Sequence, residues 1–281
     1  MSESEIPPLL NEVPQSDSRP KWRWAVHVGL LAAYVLGLGI AGALLRSDTH
    51  KGGSASAMPS SVHALVSMCA TELGFFAAIF AIAWIFSRVR PNELFLKWRG
   101  GLRPIAWGIL YSVVLRVVIA MVGLIALVPI VAAKGKGAVE ELRPKTEAVV
   151  DMEALKDPVY LVFTLTAVSF VMAGFREELW RAGMLAGLAG VAPTLFSTRR
   201  GQYISVAIAA VIFGLGHLPQ GWGGVAITGV LGLGLGWIIV RHQSAWEAIM
   251  AHGFFDATTF AALYLVIKYF PDALKQFAIF L

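Results

Sequence analysis

Long apolar runs constrain this chain more than any other feature of its sequence. Several of them reach the roughly 18–20 residues that a helix needs to cross the hydrocarbon core of a bilayer. Of the 281 residues, 57% are hydrophobic and only 15% are charged, whereas soluble domains average about 25% charged residues. The runs occupy residues 24–45, 64–86, 104–133, 203–218, 224–240 and 245–267, and a further run begins at Pro158. The sequence therefore predicts an all-α, polytopic membrane helix bundle.

The number of spans depends on the segment that follows the run beginning at Pro158. Its sequence, MLAGLAGVAPTLF, is apolar but is interrupted by Pro193. It could extend the preceding helix, form a short re-entrant piece or cross the membrane again, so we expect seven or eight transmembrane helices. The net charge is +5, but the Lys and Arg residues lie in loops between apolar runs, as in membrane proteins generally. The charge therefore indicates no nucleic-acid partner, and the predicted environment is the lipid bilayer.

One apolar run carries a cluster of charges near its end. The stretch AGFREELWRAGML, residues 173–185, contains Arg176, Glu177, Glu178 and Arg181. Ionisable groups at membrane depth cost about 2.5–3.5 kcal/mol each on insertion scales, and they usually line a functional cavity. Glu177 and Arg181 share a helical face at four-residue spacing, and Glu178 and Arg181 can pair at three-residue spacing. The alternative is a pair of opposite charges that neutralise each other against a neighbouring helix.

Two later segments place further reactive groups at helical spacing. VIFGLGHLPQG puts Phe213 four residues before His217, and MAHGFFDATTF puts His252 four residues before Asp256. With the two glutamates, these groups could supply a base for water, donors for an oxyanion, or a metal cage. Each segment also has a simpler interpretation. His217 could be an interfacial histidine, Phe213 could be a packing residue, and His252 with Asp256 could be a local side-chain pair.

The three segments, in this order, resemble the CPBP intramembrane proteases, also called the CAAX-processing or Abi family. That family carries EExxxR, FxxxH and then HxxxN or HxxxD on successive membrane helices. The matching residues are Glu177 and Glu178, Phe213 and His217, and His252 and Asp256. The resemblance covers roughly residues 158–267. Where the family pattern resembles EELLFRG, this chain reads EELWRAG, so Arg181 stands one position early.

The resemblance implies hydrolysis of a peptide bond inside the membrane. Glu177 would be the general base, assisted by His217, and would activate a water molecule. His252 and Asp256 would hold the developing oxyanion or orient the water. Glu178 and Arg181 would brace the site, with Phe213 in a supporting role. The expected substrate is a membrane protein or lipidated peptide, such as a prenylated CAAX protein.

The composition and the resemblance together divide the chain into three parts, and the catalytic type stays open. We expect a disordered tail over residues 1–20, N-terminal transmembrane helices over 21–157 and a catalytic transmembrane core over 158–281, in a multi-pass protein of the bacterial inner membrane. The sequence has no HExxH, the stronger metalloprotease signal, so we favour a glutamate-type site without a cofactor. The alternative is a metalloprotease in which four residues hold Zn²⁺: Glu177, His217, His252 and Asp256.

Two other functional classes are compatible with the same residues. One is a transporter whose buried acidic and histidine side chains relay protons, because short or interrupted helices are typical of transporter sites. The other is a catalytically silent relative that acts as a membrane scaffold or as a bacteriocin self-immunity protein. Cleavage of a membrane-tethered peptide would separate the protease from both of these classes.

Overall fold

The computed structural model describes residues 19–49, 58–98, 100–135, 137 and 149–270. Within these residues every regular element is a helix and no strand occurs, which confirms the all-α prediction. The predicted disordered tail, residues 1–20, lies outside the described residues except for Arg19 and Pro20.

The helices follow the apolar runs of the sequence. The first three are α1 (Lys21–Thr49), α2 (Val62–Ser87) and α3 (Arg103–Lys134). A composite helix comes next, made of α4 (Pro158–Phe163), a π-helical segment (Thr164–Glu177) and α5 (Glu178–Val191). The remaining helices are α6 (Pro193–Phe196), α7 (Arg199–Gly216), α8 (Gly221–His242) and α9 (Trp246–Tyr269). Short 3₁₀ turns lie at Ala154–Lys156 and Leu218–Gln220.

Polar side chains define where several of these helices begin. The Ser61 hydroxyl accepts from the backbone N–H of Ala64 ahead of α2. Asp157 accepts from two backbone N–H groups of α4, which has a proline in its first position. The Thr198 hydroxyl accepts from a backbone N–H of α7. These caps satisfy N–H groups that have no partner within the helix, and so fix its first turn.

Six helices in the described chain are long and apolar enough to cross a membrane. They are Lys21–Leu44, Val62–Ser87, Arg103–Lys134, Pro158–Val191, Leu218–His242 and Trp246–Tyr269. The remaining predicted run, residues 203–218, is also helical, as α7, but the first turn of α7 contains Arg199, Arg200 and Gln202, which lower its hydropathy. The MLAGLAG stretch extends the preceding helix as far as Val191, so the extension is the alternative that the structure adopts.

Glycine residues let α1 pack closely against α5. A Cβ atom at Gly183 would lie 2.8 Å from Cδ1 of Leu31, and one at Gly187 would meet the side chain of Val28. The Trp180 indole N–H also donates to the carbonyl of Leu31, at 2.8 Å. Small residues at such contacts are typical of membrane helix interfaces, where close packing drives association. The N-terminal helices are thereby fixed to the helix that carries the glutamates.

The π-helical segment packs directly on α9. A Cβ atom at Gly174 would lie 2.8 Å from the carbonyl oxygen of Ile249, and one at Gly253 would meet the ring of Phe170. The two backbones therefore approach each other just where Glu177 and His252 lie. The π segment ends at Glu177 and ordinary α geometry resumes at Glu178. Local π geometry of this kind is frequent at functional sites.

Candidate active site

Glu178 lies on a sealed side of the site, in a fully buried ion pair. The side chains of Glu178 and Arg181 are both 0% exposed, and Nη1 of Arg181 contacts Oε1 of Glu178. The guanidinium carbon of Arg181 lies 4.5 Å from the centre of the Phe213 ring, a cation–π contact. Of the two glutamates that Arg181 could reach by sequence spacing, the structure therefore selects Glu178.

Glu178 also orients the imidazole of His252. Nδ1 of His252 lies 2.9 Å from Oε1 of Glu178, and both side chains are buried. An ionised carboxylate can only accept a hydrogen bond, so Nδ1 carries the proton and donates it. The other ring nitrogen, Nε2, then points toward two further carboxylates. It lies 3.9 Å from Oε2 of Glu177 and 4.0 Å from Oδ2 of Asp256.

Glu177 lies on the opposite, more open side and is held there by Arg176. Nη2 of Arg176 lies 3.0 Å from Oε1 of Glu177, and Nη1 lies 2.5 Å from Oε2 of Glu72 on α2. Nε of Arg176 donates to the carbonyl of Met172 at 3.1 Å. One oxygen of Glu177 is thus occupied, and the other faces His252. The Glu177 side chain is 18% exposed and that of Glu72 is 39% exposed, in contrast to the sealed Glu178.

A third arginine, Arg116 of α3, bonds to the part of α9 that carries Asp256. The hydrogen bonds of Arg116 go to uncharged acceptors on α9. Nη1 donates to the Thr259 hydroxyl at 3.1 Å. Nη2 donates to the Phe255 carbonyl at 2.8 Å and to the Thr258 hydroxyl at 2.6 Å. The site therefore contains three guanidinium groups among four carboxylates, namely Glu72, Glu177, Glu178 and Asp256.

His217 joins this group through Phe213. It lies at the C-terminal end of α7, where its Nδ1 is 2.9 Å from the carbonyl oxygen of Phe213. A carbonyl accepts, so Nδ1 carries the proton and Nε2 keeps a lone pair in the neutral ring. The Phe213 ring centre lies 4.7 Å from that of His217 and 6.3 Å from that of His252. Phe213 thus contacts both histidines and Arg181, and is more than a partner of one histidine.

The residues singled out from the sequence come together in the structure. Four of them surround the His252 ring directly or through one partner: Glu177, Glu178, Arg181 and Asp256. His217 is connected to them by the Phe213 ring. The sequence interpretation gave no role to Arg176, Glu72 or Arg116. The available signal was an ionisable residue inside an apolar run, which marks a functional position by default.

The residues proposed from the sequence as zinc ligands do not form a metal-binding group as they stand. In the described part of the chain, no cluster of three or more His, Cys, Asp or Glu side chains has that arrangement. Nδ1 of His217 and of His252 is hydrogen-bonded, which leaves Nε2 as the available nitrogen of each ring. Oε1 of Glu177 is engaged in an ion pair. The glutamate-type site without a cofactor stays a prediction.

Comparison with known proteins matches the segment that carries these residues to one family model. Residues 158–258 match the family model described as "Type II CAAX prenyl endopeptidase Rce1-like". Searches of the curated proteins and of the solved structures gave no match. The matched segment begins at the first residue of α4 and ends just beyond Asp256, so it contains all three predicted motifs. The resemblance to the CAAX-processing membrane proteases is therefore confirmed, over residues 158–258 of this multi-pass membrane protein.

Proposed function

We propose that this protein is an intramembrane endopeptidase that hydrolyses a peptide bond near the C-terminus of a membrane-associated, CAAX-type protein. The family match supports this activity because it covers the segment that carries the site. The observation that carries the proposal is the convergence of Oε2 of Glu177 and Oδ2 of Asp256 on Nε2 of His252. The match favours neither the proton-relay transporter nor the silent scaffold considered from the sequence.

The spacing around His252 suits one water molecule. Distances of 3.9 and 4.0 Å are too long for direct hydrogen bonds, and a single water can bridge groups at this separation. The charged groups around this point make it a polar site at membrane depth, which is tolerated where the groups line a cavity rather than face lipid. The partial exposure of Glu177 and Asp256, 18% and 25%, leaves that position accessible.

In the proposed reaction, Glu177 acts as the general base. Its Oε1 is held by Arg176, so Oε2 remains to take a proton as the water oxygen attacks the carbonyl carbon of the substrate. The carbon–nitrogen bond then breaks, and the proton passes to the departing nitrogen. His217 assists through Nε2, which carries the lone pair of the neutral ring because Nδ1–H is bonded to a backbone carbonyl.

His252 stabilises the charge that develops on the substrate carbonyl, and Asp256 has an orienting role. A doubly protonated His252 donates from Nε2 to the oxyanion that forms on the substrate carbonyl. Its Nδ1–H keeps its hydrogen bond to Glu178. Asp256 orients the water or the imidazole from the side facing α3. Glu178 and Arg181 touch neither water nor substrate in this scheme. They hold the ring of His252 at a fixed angle, and so are positioning residues.

Cleavage of a membrane-tethered reporter with a lipidated CAAX terminus tests the proposal. Purified wild-type protein in lipid vesicles should cleave it, whereas Glu177→Ala and His217→Ala should lose roughly 10²–10⁴-fold in rate. Both variants should still insert in the membrane. The matched control is Glu153→Ala, which removes a carboxylate that is 78% exposed and outside the site. Near wild-type turnover in Glu177→Ala would refute the assigned base.

A further inference from the structure

Arg116 is the charged group of the site that the proposed reaction leaves without a role. It lies near the middle of α3, and its guanidinium reaches α9 one helical turn beyond Asp256. Among the described residues its hydrogen-bond acceptors are two threonine hydroxyls and one backbone carbonyl, all uncharged. An arginine at this depth without a directly bonded carboxylate is costly, so a functional reason for it is expected.

The guanidinium is held in a fixed orientation by α9. The Thr258 hydroxyl donates to the carbonyl of Phe254 at 2.6 Å, and that of Thr259 donates to the carbonyl of Phe255 at 2.8 Å. Each hydroxyl oxygen is therefore left with lone pairs for Arg116. The Phe255 ring lies below the guanidinium carbon, at 4.4 Å. A guanidinium has five N–H donors, and the three bonds to α9 leave two of them for a ligand.

We propose that Arg116 binds the C-terminal carboxylate of the peptide substrate. The inference rests on the proposed endopeptidase function and specifies which end of the substrate the protein binds. A guanidinium with unused N–H donors is well suited to a carboxylate, to which it can donate a charge-assisted hydrogen bond. Asp256 does not fill this position, because in the described chain the hydrogen bonds of Arg116 go to Thr258, Thr259 and the Phe255 carbonyl.

The separation along α9 matches the length of a CAAX tail. His252 and Thr259 are seven residues apart on one helix, which corresponds to roughly 10 Å at 1.5 Å per residue. In a CAAX protein the lipid is on the cysteine, and three residues follow it. Three extended residues span roughly 10 Å. A substrate whose carboxylate lies on Arg116 therefore presents the bond after its lipidated cysteine at the level of His252.

Two substrates that differ only at the C-terminus test this inference. One is a lipidated CAAX peptide with a free carboxylate, and the other is the same peptide with a C-terminal amide. Wild-type protein should cleave the carboxylate form with a kcat/KM roughly ten- to a hundredfold higher, the range expected for hydrogen bonds to a charged group. Arg116→Gln should lose this preference by slowing only the carboxylate form. Arg103→Gln removes an exposed arginine from the start of the same helix and should keep the preference.

Several outcomes would overturn the inference. Equal cleavage of both peptides by the wild type would exclude a carboxylate anchor, even if Arg116→Gln failed to fold. Equal loss of both activities in Arg116→Gln would show that Arg116 only joins α3 to α9.

A binding assay separates failure of the inference from failure of the proposed reaction. An apolar tripeptide with a free carboxylate, but not its amide, should raise the thermal midpoint of the wild type and not that of Arg116→Gln. If the tripeptide raised the midpoint in this way but the protein cleaved no substrate, Arg116 would still be the carboxylate-binding residue and the endopeptidase proposal would be refuted. An unchanged midpoint in the wild type would contradict carboxylate binding by Arg116.

Discussion

Two adjacent glutamates of this protein lie in opposite environments. Glu178 is fully buried, with a fully buried arginine beside it and the His252 ring bonded to it. Glu177 is 18% exposed, and its arginine leads on to Glu72, which is 39% exposed. The sealed side consists of Glu178 and Arg181, and the open side consists of Glu177, Arg176 and Glu72.

The difference shows how two identical side chains can be given different tasks. A carboxylate sealed in an ion pair has no route to water, so its value lies in fixing the imidazole that it accepts from. A carboxylate with one oxygen held and the other exposed is positioned and still able to take a proton. The comparison therefore predicts that substitutions on the sealed side act mainly on stability, and those on the open side mainly on rate.

The largest expected effect is on the sealed side. Arg181→Ala would leave Glu178 as a buried charge without its cation, and breaking such a pair typically costs about 3–5 kcal/mol. We expect a clearly lower thermal midpoint in detergent. Arg181→Lys should restore only part of it, since an ammonium lacks the planar guanidinium that stacks on Phe213.

The control for that prediction is Arg200→Ala, which removes an exposed arginine at the start of α7. If the midpoints of Arg181→Ala and Arg200→Ala were the same, the sealed side would not be a structural brace. Arg181 would then need another explanation, and the contrast between the two glutamates would lose its basis.

A smaller effect, on rate, is expected on the open side. Arg176→Lys keeps the charge, but one ammonium nitrogen cannot reproduce the three contacts that the arginine nitrogens make with Glu72, Glu177 and the Met172 carbonyl. Displacing a base by about 1 Å can cost roughly 10²-fold, so we expect kcat to fall by about 10- to 100-fold with little change in KM. Glu72→Gln, which leaves the Arg176–Glu177 pair in place, should lower kcat less.

Steady-state kinetics on the CAAX reporter measure that split, with Arg103→Lys as the conservative control in an exposed position. A positioning role for Arg176 predicts a change in kcat. A rise in KM at constant kcat would instead assign Arg176 to substrate binding, and loss of thermal stability without a kinetic change would place it with the sealed side.

The smallest expected effect is that of a metal chelator. The proposed reaction uses a carboxylate and two imidazoles, and in the described part of the chain no three His, Cys, Asp or Glu side chains are arranged to hold a metal ion. We therefore expect cleavage to continue at near wild-type rate after prolonged treatment with a strong chelator. Elemental analysis provides the second measurement. About one tightly bound Zn²⁺ per chain, with activity lost on its removal and restored on its return, would replace the glutamate-type proposal by a metalloprotease.

Much of the architecture could be predicted because it depends on local pattern. An apolar run of sufficient length forms a helix in lipid whatever surrounds it, since its backbone groups must be satisfied within the segment. The same holds for the site residues, whose spacing of three or four along a helix follows from helical geometry. Both the all-α bundle and the three motif segments were accessible in this way.

The pairing of charges could not be read from the sequence. Arg181 could reach either glutamate by spacing, and the structure pairs it with Glu178 while its guanidinium lies over the Phe213 ring. Arg176 pairs with Glu72, which is 104 residues away in sequence. Only the packing of α2 beside the π segment brings that carboxylate within reach. A pattern in one segment carries no information about such a partner.

The sequence by itself determined which segments form apolar helices and which reactive side chains they carry, because hydropathy and helical spacing are local properties. The tertiary structure decided which glutamate is sealed and which is open, and it brought Arg116 of α3 onto α9 beside Asp256. These outcomes depend on how closely the helices approach, as at Gly174, where a Cβ atom would lie 2.8 Å from the carbonyl oxygen of Ile249. Proximity between distant segments is set by the packing of the whole bundle, and therefore only the folded structure reveals it.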